Sequence, residues 1–486
     1  MNQKKAIGFG FRGWMLILFQ AIAYITYQVF TQYPLNILAD FYGGANLVSR
    51  YYSICAVVGI FIQLLLVGPI SRLKNLKAFC CTLGGVSLVL AFFVMTQPAG
   101  PLWYICYSLI NVTSVLYATM TLGLLVGQWF PTRKGTVMGI ATLAFPIANG
   151  LLGPFANSVF GGVAGAAAGA AEAMMATAPD VGGAVFGILE SGDVVGAAAA
   201  AGVNTAPIVM GAFLPFFIVS IVGWLIGLIF IKDYPEQVGA FRDNDKNMTP
   251  EVANAIMMAE IENKKTSVWT IGNTIKNREF WFSTITNALL LGTAIGLMSQ
   301  SNAILTNAVP AGKDPDAFYT TGMMLVMIFG IIGSFVLGLI DTKIGTRKAM
   351  IISTCLMIVA GVFGIVGNST ILPAMIFVAL FMGAASNFGV SCAAQYWRRE
   401  DFGRIFMISS PIGSLISSAS PAVVAGLMFG AMGYKGPTGV FVLTAICGVV
   451  SLVCMLLFKP AHIKAVDDKY REKAGKELDD ALLGRK

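Results

Sequence analysis

Residues 338–349 read Gly-Leu-Ile-Asp-Thr-Lys-Ile-Gly-Thr-Arg-Lys-Ala, one acid and three bases in twelve positions. Their flanks, 318–337 and 350–366, hold no charged residue at all. Apolar runs of this length are long enough to cross a bilayer core as helices. A short charged loop between two of them is therefore a turn at a membrane surface, and the rest of the chain repeats the pattern. Twelve apolar runs follow one another, at about 13–37, 47–70, 78–97, 102–130, 136–160, 206–231, 280–306, 318–340, 349–367, 371–396, 405–431 and 437–458. The sequence is 56% hydrophobic and 12% charged, about half the charge of a soluble domain. Barrel strands would alternate apolar and polar residues, and these runs do not.

The net charge of +8 could suggest nucleic-acid binding, but its distribution excludes it. With the N-terminus inside and one crossing per run, 29 of the 32 Lys and Arg fall on the inner side. Only Arg50, Lys313 and Lys435 remain outside. This is the positive-inside bias of a polytopic membrane protein, with both termini cytoplasmic. All eight cysteines lie in or at the ends of apolar runs, without zinc or disulfide spacing. Lys4-Lys5 before an apolar run imitates a signal peptide, but the run is too long and reads as an uncleaved first helix.

Four anchors indicate a duplicated six-helix unit. Trp14 pairs with Trp281, Gln128-Trp-Phe130 with Gln395-Tyr-Trp397, and Pro154 with Pro421, each 267 residues apart; Gly68 pairs with Gly338 at 270. The expected organisation is an N-terminal bundle over 1–231, a cytoplasmic linker over 232–278, a C-terminal bundle over 279–458 and a basic tail over 459–486. Thr249-Pro250-Glu251 predicts a helix start in the linker, running to about 264. Residues 162–205 are rich in Ala and Gly and carry Glu172, Asp180, Glu190 and Asp193. They make a poor membrane span and are expected outside, as short helices capping the first bundle.

The opening stretch resembles the Gly-x-x-x-Asp-x-x-Gly-x-Arg-Lys signature of the major facilitator superfamily, with Gly338, Asp341, Gly345, Arg347 and Lys348 in place. The resemblance implies an all-α fold of two six-helix bundles with a solute site between them near mid-membrane. It also implies a gate at this loop. An acid at a helix end can pair with an Arg, or with the positive end of a neighbouring helix, in one conformation only. A plain positive-inside loop would hold the same bases. The first-half copy, 68–78, keeps Gly68, Arg72 and Lys77 but has Ser71 where the acid belongs. The phrases "QWFPTRKGTVMGI" (128–140) and "KDYPEQVGAFRDND" (232–245) resemble the oxalate/formate antiporter and monocarboxylate branch of that superfamily. "GFGFRG" (8–13) matches a dinucleotide fingerprint, but no strand precedes it.

The apolar runs carry almost no ionisable group apart from Arg50; Asp40 falls in the first outer loop and His462, the only histidine, in the tail. Charges inside a membrane helix persist mainly for function. Their scarcity favours exchange or facilitated transport over proton symport, and a monoanion or bulkier acid over a dicarboxylate. Polar residues expected to line the cavity are Gln20, Tyr24, Tyr27, Gln28, Asn111, Thr113, Tyr117, Asn287, Gln300, Ser386, Asn387, Ser391 and Arg50. Gln20, Tyr24, Tyr27 and Gln28 share one helical face, which must meet protein or water.

The reading is a transporter of a small organic acid, not an enzyme, in the cell membrane. Its expected partners are that solute and the bilayer, with no cofactor, metal or nucleic acid, and it is expected to act as a monomer. A neutral or drug-like solute, a proton-coupled carboxylate symporter and a non-transporting sensor of the same fold are the alternatives.

Overall fold

The computed structural model describes residues 8–72, 75–130, 133–245, 248–265, 267–430 and 433–482. Lys4, Lys5 and Lys74 of the basic flanks lie outside these residues. Twelve long helices are numbered here in chain order. In the first half they are α1 (Gly10–Asn36), α2 (Ala45–Arg72), α3 (Leu76–Thr96), α4 (Pro101–Trp129), α5 (Thr136–Met175) and α6 (Ala206–Phe230). In the second they are α7 (Arg278–Ser299), α8 (Pro315–Ile344), α9 (Thr346–Val366), α10 (Asn368–Tyr396), α11 (Arg399–Met428) and α12 (Thr438–Leu457). Strand pairing among the described residues is limited to Phe429–Gly430 against Gly433–Tyr434, after α11. Exposed apolar side chains such as Phe61, Leu65, Phe92, Ile218, Ile229, Val366 and Leu456 face outward, as lipid contact requires.

The two bundles meet along α5 with α8 and along α2 with α11. Small residues make the first contact close. A Cβ added at Gly139 would lie 3.4 Å from Gly338 Cα, and one at Gly153 3.3 Å from Thr320 Cα. Lacking a hydrophobic drive between helices in lipid, such interfaces depend on close packing. Gly338, the first residue of the opening stretch, is thus a contact between bundles.

Three helices depart from regular geometry at the centre. α5 breaks between Ala141 and Ala144, because Pro146 has no N–H for the Thr142 carbonyl. α1 and α4 each contain a π-helical turn, at Gln28–Gln32 and Leu116–Thr121. The two turns are tied reciprocally. Tyr107 of α4 donates its hydroxyl to the Thr31 carbonyl at 2.7 Å, and Gln20 of α1 donates its amide to the Ala118 carbonyl at 2.7 Å.

Two expectations about the elements need correction. The helix expected to end near 160 continues to Met175, because its Ala-rich extension has the highest helix propensity. The inserted segment therefore begins inside α5 and adds only two separate helices, Pro179–Glu190 and Val194–Ala200, both packed against it. Likewise α8 runs past 340 to Ile344 and takes Asp341 into its last turn.

The face carrying the linker is bound together by polar contacts. The two phrases 128–140 and 232–245 touch: Trp129 Nε1 donates to the Lys232 carbonyl at 2.9 Å, and the Arg133 N–H to Asp243 at 3.1 Å. The linker helix spans Pro250–Lys265. A tail helix, Pro460–Leu482, folds back on this face. Its Asp467 accepts from Trp269 Nε1 at 2.9 Å, Arg398 Nε at 2.6 Å and Arg471. His462 of this helix reaches back to the bundle: its Nδ1 sits 3.4 Å from the buried carboxylate of Glu279.

Burial alone would raise the Asp467 carboxyl, but bonds from Arg471 and Trp269 and the nearby Arg charges outweigh it and hold it below its ordinary value. A depressed acid contributes stability that is complete above its unfolded value of about 3.9 and fades as pH falls below that. The fluorescence of Trp269, taken as the difference between the parent and a Trp269→Phe variant, should hold steady from pH 7 to 5 and change only in stronger acid. A change complete by pH 5 would contradict the clasp.

Candidate functional site

A central cavity of about 930 Å³ lies between the bundles. Its walls come from α1 (Tyr27), α4 (Val115), α5 (Phe145), α7 (Phe280 to Ile295), α10 (Ser386 to Ala393) with Trp397 just after it, and α11 (Ile405 to Ser418). A second lobe of about 450 Å³ shares Phe145, Leu291, Ile295 and Ser386 with it and extends to Gln28, Gln32, Asn36 and Asn149. No Lys, Arg, His, Asp or Glu occurs among the described residues lining either space. The polar groups are hydroxyls and amides: Tyr27, Ser283, Thr284, Asn287, Ser386 and a row of serines on α11.

The bundles also touch at the two ends of this space. Away from the linker, Asn36 of α1 donates to the Met298 carbonyl of α7 at 2.7 Å and to Ser301 at 3.2 Å. Toward the linker, Phe406 of α11 closes against Gly123 of α4, and Phe402 against Gly127. A Cβ at Gly127 would lie 2.4 Å from the Phe402 ring, so the ring would have to move, and one at Gly123 would press on Phe406 at 3.2 Å.

At the same end lies the signature loop. Asp341 is buried and accepts the Thr346 hydroxyl; the Gly345 N–H closes the end of α8 on the Asp341 carbonyl at 3.1 Å. Gly345 has φ of +102°, a backbone geometry natural only to glycine. The Thr346 and Arg347 N–H groups, opening α9, donate to Gln395 Oε1 at 2.7 Å and Tyr396 Oη at 3.0 Å. Arg347 turns away from the acid and donates to the Met455 and Leu456 carbonyls at the end of α12, both at 3.1 Å, where the helix dipole favours a cation. Among the described residues Asp341 has no ion pair; its neighbours are Thr346 and, across the loop, Ser391 of α10. Thr342 meets Thr136 of α5 at 3.0 Å, joining the bundles beside it. Lys348 is exposed. Gly68 and Arg72, the first-half counterparts, fall in α2, and their side chains lie outside those described.

With this geometry in place, comparison with known families gives a match to the Major Facilitator Superfamily over residues 151–421, more than half of the chain. The chain belongs to the major facilitator superfamily. A comparison with curated proteins returns no match. Among solved structures, the proton:xylose symporter XylE bound to 6-bromo-6-deoxy-D-glucose aligns with a TM-score of 0.62 at 13% identity, over 92% of this chain and 96% of that one. The Major Facilitator Superfamily transporter FucP in the outward conformation aligns with a TM-score of 0.58 at 12% identity, over 91% of this chain and 98% of that one. At such identities the likeness is one of fold. The superfamily assignment makes the chain a multi-pass membrane transporter, not an enzyme.

The superfamily fold brings five of the thirteen expected cavity residues to the cavity or its lobes: Tyr27, Gln28, Asn287 and Ser386 here, and Asn111 in a side pocket described below. The others are turned elsewhere. Gln20 is spent on the π turn of α4, and Tyr24 packs its ring on Phe145. Thr113 bonds Ser87 of α3 at 3.0 Å, and Tyr117 packs against Gly84 and Phe19. Gln300 is buried where α7 ends. Asn387 reaches across to Thr142 Oγ1 at 2.8 Å, at the contact between bundles, and Ser391 faces Asp341. Arg50 is exposed at the start of α2. The chief omission is α11, whose Ser409, Ser410, Ser414, Ser417 and Ser418 line the main cavity. Six serines within 409–420 of an apolar run were the available signal. Glu279 was missed as well: it stands one residue before its apolar run, yet is fully buried, bonded to Arg278 and the Lys459 N–H.

Proposed function

We propose that the chain moves a small monocarboxylate-like organic acid across the cell membrane by alternating access, by exchange rather than proton symport. It works as a monomer, with linker and tail in the cytoplasm. The observation that carries this reading is the uncharged, hydroxyl- and amide-bearing cavity between the bundles. A single carboxylate can be satisfied by neutral donors such as Tyr27, Ser283 and Asn287, while the apolar walls accept the rest of the molecule. A dianion without a cation would leave charge uncompensated in a poorly solvated space. Proton coupling within the cavity would need a titratable carboxyl, and the described lining supplies none.

The same lining favours a second reading, a neutral polar solute, for which no countercharge is needed. Counterflow in proteoliposomes separates the two. Vesicles preloaded with an unlabelled monocarboxylate should accumulate the labelled acid, without a pH gradient, and ignore neutral polyols and sugars. Accumulation of the neutral compounds alone, or uptake that requires a pH gradient, would overturn the proposal. Asn287→Leu should lower counterflow about tenfold, the effect of losing one buried hydrogen bond to the solute; initial rates at fixed protein level would check it.

A further inference from the structure

Beside the main cavity, α2, α4 and α11 line a small side pocket. It shares Val115, Ser414 and Ser418 with the main cavity, so the two spaces adjoin. Two amides line it from different helices: Gln63 of α2, 2% exposed, and Asn111 of α4, 4% exposed. Each has a buried carbonyl oxygen with no hydrogen-bond partner, Gln63 Oε1 and Asn111 Oδ1. For Asn111 the orientation is set by chemistry. Its Nδ2 donates to the Tyr107 carbonyl at 2.7 Å, and a carbonyl can only accept. The oxygen is therefore the atom left over for the pocket.

Unpaired acceptors at membrane depth are unfavourable and rarely left without a partner. Nothing charged lines this pocket among the described residues, which argues against an ammonium group as the missing donor. A hydroxyl fits. It can donate to an amide oxygen and accept from the Ser414 or Ser418 hydroxyl, which stand one helical turn apart on α11. The free space suits a single group about the size of a water molecule, which a hydroxyl is, while the carbon that carries it stays in the adjoining main cavity.

We propose that this pocket is a subsite for a hydroxyl group of the solute, and that Asn111 and Gln63 are specificity-determining residues that read it. The inference rests on the reading of the central cavity as the solute site, and it adds that the solute carries a hydroxyl donor besides its carboxylate. The test uses the full-length purified chain and two matched pairs of probes: butanoate with 2-hydroxybutanoate, and uncharged butanamide with 2-hydroxybutanamide. Affinity is read from stabilisation against thermal unfolding. In at least one pair the hydroxylated member should bind about tenfold more tightly, the effect of one buried hydrogen bond. In Asn111→Leu or Gln63→Leu, each checked for monodispersity, the ratio should fall to about one. Having the two substitutions on different helices guards against misfolding of either. Equal binding within both pairs, no stabilisation by any probe, or a preference that survives both substitutions would overturn the subsite. A preference confined to the uncharged pair would keep it and reject the carboxylate reading instead.

Discussion

Glu236→Leu is expected to destabilise the protein by about 3–5 kcal/mol, the cost typical of stranding one member of a buried ion pair. Glu236 and Arg242 bond through Oε1 and Nε, and their side chains are 1% and 3% exposed. The pair sits in the phrase after α6. Pro235 opens a 3₁₀ turn, Pro235–Val238, that Gly239 ends at φ of +68°, and this turn brings Glu236 back to Arg242. The guanidinium also lies 5.5 Å from the Tyr234 ring centroid, which orients it without neutralising it. With the acid gone, the buried guanidinium loses the carboxylate at its Nε, and the turn that brings Glu236 back to Arg242 loses its tie. The double variant Glu236→Leu/Arg242→Leu should recover much of the loss, since replacing both charges by apolar groups removes the desolvation penalty along with the attraction. Thermal unfolding of the three proteins in one detergent checks the order. A single variant within about 1 kcal/mol of the parent would place the pair with ordinary surface bridges.

The phrase shows how far sequence reaches here. Twelve spans were legible because the bilayer imposes a length and a composition on every crossing helix. The fold followed from duplication and from the loop at 338–349. The cavity was less legible, for reasons visible in particular residues. Gln20, Tyr24, Tyr27 and Gln28 share a face of a regular helix, but α1 leaves regular geometry at Gln28. The N-terminal part of the stripe, still in regular helix, serves the neighbouring helix: Gln20 donates to the Ala118 carbonyl in the π turn of α4. Spacing shows that a stripe must face protein, not which protein group. The serine face of α11 was hidden for the opposite reason, since serine in a membrane helix can return its hydroxyl to its own backbone, as Ser417 does to Ser414. The contact of His462 with Glu279 escaped notice because it depends on the tail helix folding back, a long-range contact without a local signature.

Asp341→Asn should lower the rate of counterflow about tenfold or more while leaving yield and thermal stability close to the parent. The residue ends α8, at the linker end of the contact between bundles, with Thr342 bonded to Thr136 and Gly338 against Gly139 in the turns around it. Its carboxylate takes the Thr346 hydroxyl, at the positive end of α9. That bond makes the last turn of α8 and the first of α9 one unit, and α10 holds the unit through Gln395 and Tyr396. When the bundles rock apart, α8 must leave α5 without fraying, and an anion on a helix N-terminus resists fraying better than a neutral amide. Asparagine keeps the size and one acceptor, so folding is spared while the charge-assisted bond, about twice as strong as a neutral one, is weakened. Thr346→Val removes the donor and should slow transport in the same direction. Its combination with Asp341→Asn should cost little more than the worse single change, because both act on one bond. Parent-like counterflow in Asp341→Asn would remove the gate and leave the signature as a charged turn at the membrane surface. Additive losses in the double variant would instead assign the two side chains to separate tasks.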